Sequence, residues 1–431
     1  MLKETVDRLY GAWWGAFIGD AIAAPTHGYS SVKLLGADYG TINSMVAPKS
    51  IHPQSVLFSL PRPELPPEFD YIGEKRRELW SRHGTHPHYG FQAGENTLPL
   101  FLALHLTASM MPSGKFDIDA WMSRYQAVMT SPEGHNDTFI PSIHRRYFDN
   151  LASGKDPEKN GCPDAHMSDL AIFIPIMFSH LKDPDSTNMN LYHAFRKFTL
   201  GEAAYTSAYF LSELLDYVIR GNSIEDSIYQ KMTPDRHFCL AFPYRRWIKS
   251  SDNDSQAISS TGILAALEES MPLTIYLAIK YGRNFSEALF ANANIGGETT
   301  GRGAILGMLA GAQCGFSKIP KEFISGLKYN GEIQALGDEL YKIDGRRVYL
   351  YSDVSLPMRK SLTKNKDDLG FLSIMADKNE KNEFNVPGKF YVDSQCIGCA
   401  LCASTAEGLF AISDTGCAYV AKQPASDEET A

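Results

Sequence analysis

The chain has no apolar run approaching the ~18 residues that a membrane-spanning helix needs; stretches such as Leu98–Leu106 and Ala171–Phe178 are too short. Its first residues, Met1-Leu2-Lys3-Glu4, lack the layout of a secretory signal. Nor is there an excess of positive charge. Lys and Arg number 41 against 50 Asp and Glu, a formal net charge of −9, which argues against nucleic acid or an anionic membrane as the main partner. Cysteine is scarce along most of the length. Cys162, Cys239 and Cys314 stand alone before residue 396, so no disulfide framework is expected there and these thiols read as reduced and packed. Strict period-two alternation is rare, which argues against a large half-buried sheet. Together these absences predict a cytoplasmic protein of the all-α class.

What is present fits that expectation. Apolar residues recur at three- and four-residue spacing over 96–110, 117–129, 168–182, 202–220, 256–269, 271–281, 285–293 and 300–313, the period of helices with a buried face. Stop signals follow at Pro112-Ser113-Gly114, Gly134, Gly221-Asn222, Gly282 and Pro320. The Pro- and His-rich stretches 48–67 and 83–90 read as surface loops. His83, His86 and His88 are expected in a solvated loop, because Trp80–Tyr89 offers no clean helical pair of metal ligands. Near 346 the character changes to a strand-like Arg346–Tyr351 followed by charged segments. The expected domains are 1–345, helical; 346–387, a linker or small subdomain; and 388–431, a terminal module.

Two glycine stripes stand out. Gly11, Gly15 and Gly19 are spaced by four, and so are Gly303, Gly307 and Gly311. Each set falls on one helix face, where every glycine costs roughly 1 kcal/mol relative to alanine. Close approach of two helix backbones offsets such a cost. Antiparallel packing of the two stripes would bring Asp20 near Glu298. The turn Gly296-Gly297-Glu298-Thr299-Thr300 leads into the second stripe and presents oxygen-bearing side chains at a helix start. Oxygen ligands suit a hard cation such as Mg²⁺, and free N–H groups at a helix N-terminus suit phosphate. Arg302, in the first turn, is placed to grip a phosphate or to pair with Glu298.

Taken in order, Gly15-Ala16-Phe17-Ile18-Gly19-Asp20-Ala21, Gly94-Glu95-Asn96-Thr97 and Gly296-Gly297-Glu298-Thr299-Thr300 with its Gly/Ala helix resemble the ADP-ribosylglycohydrolase family over roughly residues 7–330. The resemblance implies a compact orthogonal helical fold. It also implies two Mg²⁺ ions and hydrolysis of the bond between ADP-ribose and a side chain. Asn96 and Thr300 stand where the family pattern has carboxylates, and His27 stands where an acid often follows the first helix. Fewer carboxylates means weaker attraction for a divalent cation. Pro25-Thr26-His27, His52-Pro53 and His135-Asn136-Asp137-Thr138 resemble a divergent bacterial branch of the family, in which the last set lies beside the pocket.

On that basis Glu95, Asp137, Glu298, His27 and His135 are the candidate catalytic groups. Glu95, Asn96, Asp137, Glu298, Thr299 and Thr300 are candidate ligands for one or two Mg²⁺, and Asp20, Asn136, Gly296, Gly297 and Arg302 are candidate substrate contacts. Simpler roles exist beside these: Glu95 and Asn96 as the start of the apolar helix that follows, and Asp137 as a cap for a helix over 138–150.

Four further cysteines crowd the C-terminal end. Cys396-Ile397-Gly398-Cys399-Ala400-Leu401-Cys402, with Glu407–Val420 and its Cys417, resembles the first half of a single-cluster bacterial ferredoxin, a small α+β unit. Cys396, Cys399 and Cys402 supply three corners of an iron–sulfur cluster, and the module is expected to be incomplete because the usual later Cys-Pro step is missing. The leading expectation is metal-dependent hydrolysis of a glycosidic bond at an ADP-ribose-like or nucleoside-like sugar, with a small nucleotide-type molecule as partner. The alternatives are a ligand-binding protein with a degenerate metal site, or an iron–sulfur-linked redox or sensor protein.

Overall fold

Helix α1 (Leu2–Ala23) and helix α6 (Thr299–Cys314) form the centre of the molecule and pack on each other more extensively than any other pair of elements. The computed structural model describes residues 2–340, apart from 112, 133, 164, 251 and 252, and residues 381–425, apart from 393–401, 404, 405, 407 and 414–416. The glycine stripes are the contact between α1 and α6, and they run antiparallel. A Cβ added at Gly11 would lie 2.2 Å from the Gly311 carbonyl oxygen, at Gly15 2.1 Å from that of Gly307, and at Gly19 1.9 Å from that of Gly303. No side chain fits at such separations, so the backbones themselves touch.

Around α6 pack α3 (Ala203–Ile219), α4 (Leu267–Tyr281) and α5 (Phe285–Ala293). Between them the core is aliphatic and aromatic: Trp13, Phe17, Leu211, Leu214, Met271, Ile275, Leu306 and Leu309 are fully buried. Helix α2 (Leu98–Met110) carries the apolar run read from sequence and buries Leu98, Leu102 and Leu106 completely.

Two stretches differ from the periodicity. The 168–182 segment is not one helix but the short pieces Met167–Ala171, Ile174–Phe178 and Ser179–Leu181. The 256–269 segment is also broken. A helix Asn253–Thr261 ends, Gly262 takes φ +84°, and α4 starts at Leu267. A positive φ is open to glycine at little cost, and it turns residues 262–266 inward. There Ile263 O accepts from the Glu298 backbone N–H at 2.9 Å and Ala265 O from that of Met167 at 3.1 Å.

The chain divides into two compact units. One holds Met1–Phe58 and Arg62–Ile343; the other holds Ser59–Pro61 and Asp344–Ala431. Among the described residues of the second unit, strands β1 (Phe410–Ile412) and β2 (Ala418–Val420) pair antiparallel, Phe410 opposite Val420. No helix among the described residues is long and apolar enough to cross a membrane.

Candidate functional site

Gly296 and Gly297 adopt φ +82° and +71°. Side chains there would collide with the carbonyl oxygens of Tyr29 and Ile263, at 2.2 and 2.0 Å. The backbone is pinned in this turn by Gly297 N–H donating to Tyr29 O at 2.7 Å and Gly28 N–H to Gly297 O at 2.9 Å. The two glycines are therefore scaffold, and they bring Glu298 against the segment that follows α1.

There Glu298 Oε2 meets His27 Nε2 at 2.8 Å. His27 Nδ1 lies 2.7 Å from His88 Nε2, and His88 Nδ1 2.8 Å from Asp137 Oδ1. The two rings are within 19° of coplanar, with centroids 5.0 Å apart. That is the separation of imidazoles joined end to end by a hydrogen bond. Phe139 stands edge-on to His27 at 5.6 Å. Asp137 also accepts from the backbone N–H of Leu98 at 2.8 Å and of Phe139 at 3.1 Å. It thus caps α2 from across space and not the helix beginning at Ser142.

The two outer ring nitrogens face carboxylate oxygens and the two inner nitrogens face each other. Burial opposes the charge of Glu298, but His27 first, then His166 and Arg302, outweigh that and pull its pKa down to about 2. His88 loses basicity to burial and regains more from Asp137, so its pKa is raised.

The neighbouring histidines are neutral framework. His52 Nε2 donates to His27 O at 3.1 Å while its Nδ1 accepts from Gln54 N–H at 3.0 Å; burial and the nearby His27 lower its pKa to about 4. His86 Nε2 donates to Pro25 O at 3.0 Å and its Nδ1 accepts from His88 N–H at 3.0 Å, with its pKa well below the ordinary value through burial and His88. The stretch read as a solvated loop is thus a loop, but one with His86 and His88 fully buried. Backbone carbonyls and Asp137 satisfy their rings, and this is what makes burial tolerable.

Asp20 does not touch Glu298. Its Oδ2 accepts from Thr97 N–H at 2.8 Å and Asn96 Nδ2 at 2.9 Å, and its Oδ1 from the Thr97 hydroxyl at 2.5 Å. Asn96 Nδ2 also donates to Phe17 O at 2.7 Å. An amide at position 96 can sit beside Asp20 where a second carboxylate would be repelled. Burial raises the Asp20 pKa to about 6 despite these donors.

Glu95 lies under a different roof. Its Oε1 accepts from Lys328 Nζ at 2.6 Å and Asn136 Nδ2 at 2.8 Å, and its Oε2 from Gln92 N–H at 3.0 Å. The carboxylate is 1% exposed, whereas the Lys328 side chain is 41% exposed and Asn136 is exposed. Gly94, at φ +81°, permits this docking. A Cβ there would strike Gly326 O at 1.8 Å, and Gly94 O accepts from Lys328 N–H at 3.0 Å.

Other expected site residues are turned elsewhere. His135 Nδ1 accepts from Arg76 at 3.2 Å, and burial and that guanidinium hold its pKa well below normal. Arg302 is wholly buried and donates to Asn292 Oδ1, Ile263 O and Gly296 O, so its guanidinium ties the glycine turn together and is hydrogen-bonded to these acceptors, not to Glu298. The Thr299 hydroxyl donates to Ala23 O at 2.9 Å, and Thr300 is buried in the same turn.

Residues 1–348 match the family model described as ADP-ribosylglycohydrolase. The chain belongs to the ADP-ribosylglycohydrolase family. A solved structure described as an "ADP-ribosylglycohydrolase-related protein complex" shares the fold, with a TM-score of 0.51 and 23% identity over 79% of this chain and 99% of that one. No curated protein matches. Residues 392–431 match the model of the 4Fe-4S single cluster domain of ferredoxin I. Of the cysteines expected to hold a cluster, Cys396 and Cys399 lie outside the described residues, while Cys402 is among them.

The ADP-ribosylglycohydrolase family implies divalent metal, and the residues present do not fit it. Among the described residues no group of three or more His, Cys, Asp or Glu is arranged to hold a metal ion. The nominated carboxylates face protein donors instead: Asp137 through both oxygens, Glu95 through both, and Glu298 through Oε2. The Asn96 amide nitrogen donates to Asp20, and its Oδ1, a neutral oxygen, is buried without a protein partner. Of the two partners that complete this picture, Lys328 was not singled out from sequence, and His88 was read there as part of a solvated loop. Lys328 lies more than 200 residues from Glu95 in the chain and is joined to it only by the close approach at Gly94.

Proposed function

We propose that the chain hydrolyses a glycosidic bond at an ADP-ribose-like or nucleoside-like sugar, with Glu95 as general base. The observation that carries this reading is the placement of Glu95. Its carboxylate is buried yet covered only by Lys328 and Asn136 on one oxygen, both of which reach solvent. Movement of those two side chains opens it to a water and a sugar. The water oxygen bonds to the anomeric carbon while the bond from that carbon to the leaving nitrogen or oxygen breaks. Glu95 takes the water's proton, and the leaving group departs with one from solvent. Asp137, His88, His27 and Glu298 form a buried hydrogen-bonded line that starts one residue from Asn136, the Glu95 partner; Asp20 and Asn96 join α1 to the start of α2.

Full-length protein incubated with ADP-ribosylated arginine, ADP-ribosylated serine and free nucleosides, with and without Mg²⁺, is expected to release ADP-ribose or free sugar. Glu95→Gln should slow release by about 10²-fold or more. No release from any of these compounds removes the hydrolase reading. The engagement of every nominated carboxylate by protein donors favours a second reading, a family member that binds such ligands without cleaving them. The same compounds would then raise the melting temperature and remain intact. The match of residues 392–431 supports an iron–sulfur cluster on Cys396, Cys399 and Cys402.

A further inference from the structure

We propose that this pocket carries two resident N–H donor groups, His27 on Glu298 and Lys328 on Glu95, in the places where its family provides for divalent metal, and that the chain binds no Mg²⁺ there. The location rests on the reading of this cleft as the substrate site; the occupancy rests on geometry alone. Mg²⁺ takes about six oxygen ligands in near-octahedral array, several of them waters, and relies on one or two carboxylates with an open oxygen. Of the six residues nominated for that task, Glu95 and Asp137 are engaged on both carboxylate oxygens. Thr299 donates its hydroxyl to a backbone carbonyl. Asn96 gives its amide nitrogen to Asp20 and Phe17 and leaves its Oδ1 buried without a protein partner, a single neutral oxygen.

One carboxylate oxygen of the set has no protein partner, Glu298 Oε1. It lies 2.6 Å from where a Cβ on Gly301 would stand, and the Ser168 backbone nitrogen lies 2.3 Å from the same point, so the oxygen is enclosed by backbone. The remaining oxygen, Oε2, is held by His27 at 2.8 Å. At Glu95, Lys328 Nζ lies 2.6 Å from Oε1. Both donors come from segments locked by their own contacts. His27 is fixed by His52 and His88, and Lys328 by the Gly94 approach. A metal ion would have to displace positioned, partly buried N–H donors that belong to the same chain and are therefore held at high effective concentration.

The test is a binding titration without substrate. The full-length protein, stripped with chelator, is titrated with Mn²⁺ read by electron paramagnetic resonance, with Mg²⁺ as competitor. The expected result is no Mg²⁺-competable site tighter than about millimolar in the wild type. Stoichiometric sub-millimolar binding that Glu298→Gln abolishes would overturn the proposal. The double variant His27→Glu, Lys328→Ala should gain such a site with at least about ten-fold tighter binding; no gain overturns the assignment of these two side chains as the excluding groups. Lys328→Ala alone, at a side chain 41% exposed, should move affinity in the same direction and does not depend on how the fold tolerates a change at His27. Turnover is measured separately, so failure to cleave any substrate removes the hydrolase reading and leaves the metal result standing.

Discussion

Asp169 and Glu298 are both fully buried carboxylates in the same part of the protein, and their surroundings drive them in opposite directions. Glu298 has His27, His166 and Arg302 and is held at about 2. Asp169 accepts from the His166 backbone N–H at 2.7 Å, leaves Oδ1 without a protein partner, and is pushed by burial, with Glu298 adding to it, to about 7. The sign follows from linkage. Its folded value lies above the ordinary 3.8, so the stability tied to it is fully present below that value and is lost as pH rises through about 7. Asp169→Asn removes this term. The urea midpoint of the wild type should fall more between about pH 5 and about pH 8 than that of the variant, by the equivalent of a few kcal/mol at most. An equal fall in both proteins would show that Asp169 is not buried as a neutral acid. At this scale the sequence was only half legible. Glu95, Asp137, His27 and Glu298 could be picked out because they sit in ordered motifs near glycine turns. His88 could not, since nothing in His86-Pro87-His88 announces that a carboxylate 49 residues away will bury it.

Between elements, the decisive feature is that α1 and α6 touch through bare backbone. Six glycines at four-residue spacing are visible in any reading, and their antiparallel pairing follows once each is seen to face a carbonyl oxygen of the other helix. Gly15→Ala would place a methyl 2.1 Å from Gly307 O, where the obstacle is backbone and cannot rotate away. Thermal and urea unfolding should show a loss of about 1–3 kcal/mol or more. Gly36 makes the contrast. It lies exposed in the helix Val32–Tyr39 with nothing within 4 Å of an added Cβ, so Gly36→Ala should stabilise by about 0.5–1 kcal/mol. Equal effects at the two positions would mean that helix propensity, not close approach, governs the stripe. The broken helix at Gly262 was less legible. Apolar spacing continues through 256–269, and only the need to feed Ile263 O to Glu298 and Arg302 explains why the chain turns in there.

Across the whole molecule, stability is unevenly divided. The first unit is built on the α1–α6 core. In the described part of the second unit the buried apolar residues are Leu60, Leu409, Ala418 and Val420, and its sheet is one two-stranded ladder. A unit with so little apolar burial needs an added constraint to hold its fold, and a cluster on cysteine thiolates provides one. Change of character near residue 346 and the crowding of cysteines made this division readable from sequence, because composition shifts without any need to know the packing. Reconstituted anaerobically, the full-length protein should take up iron and sulfide and turn brown. Cys402→Ser should lose most of that iron. Cys417→Ser should keep it, because Cys417 sits in the hairpin as a ladder neighbour, its carbonyl accepting from Ser413 N–H at 2.8 Å. Calorimetry of the same proteins should show a small transition that moves down or vanishes in Cys402→Ser while the main transition, belonging to the α1–α6 core, stays within about 1 °C. A main transition that falls with the iron would mean that the two units fold as one cooperative body.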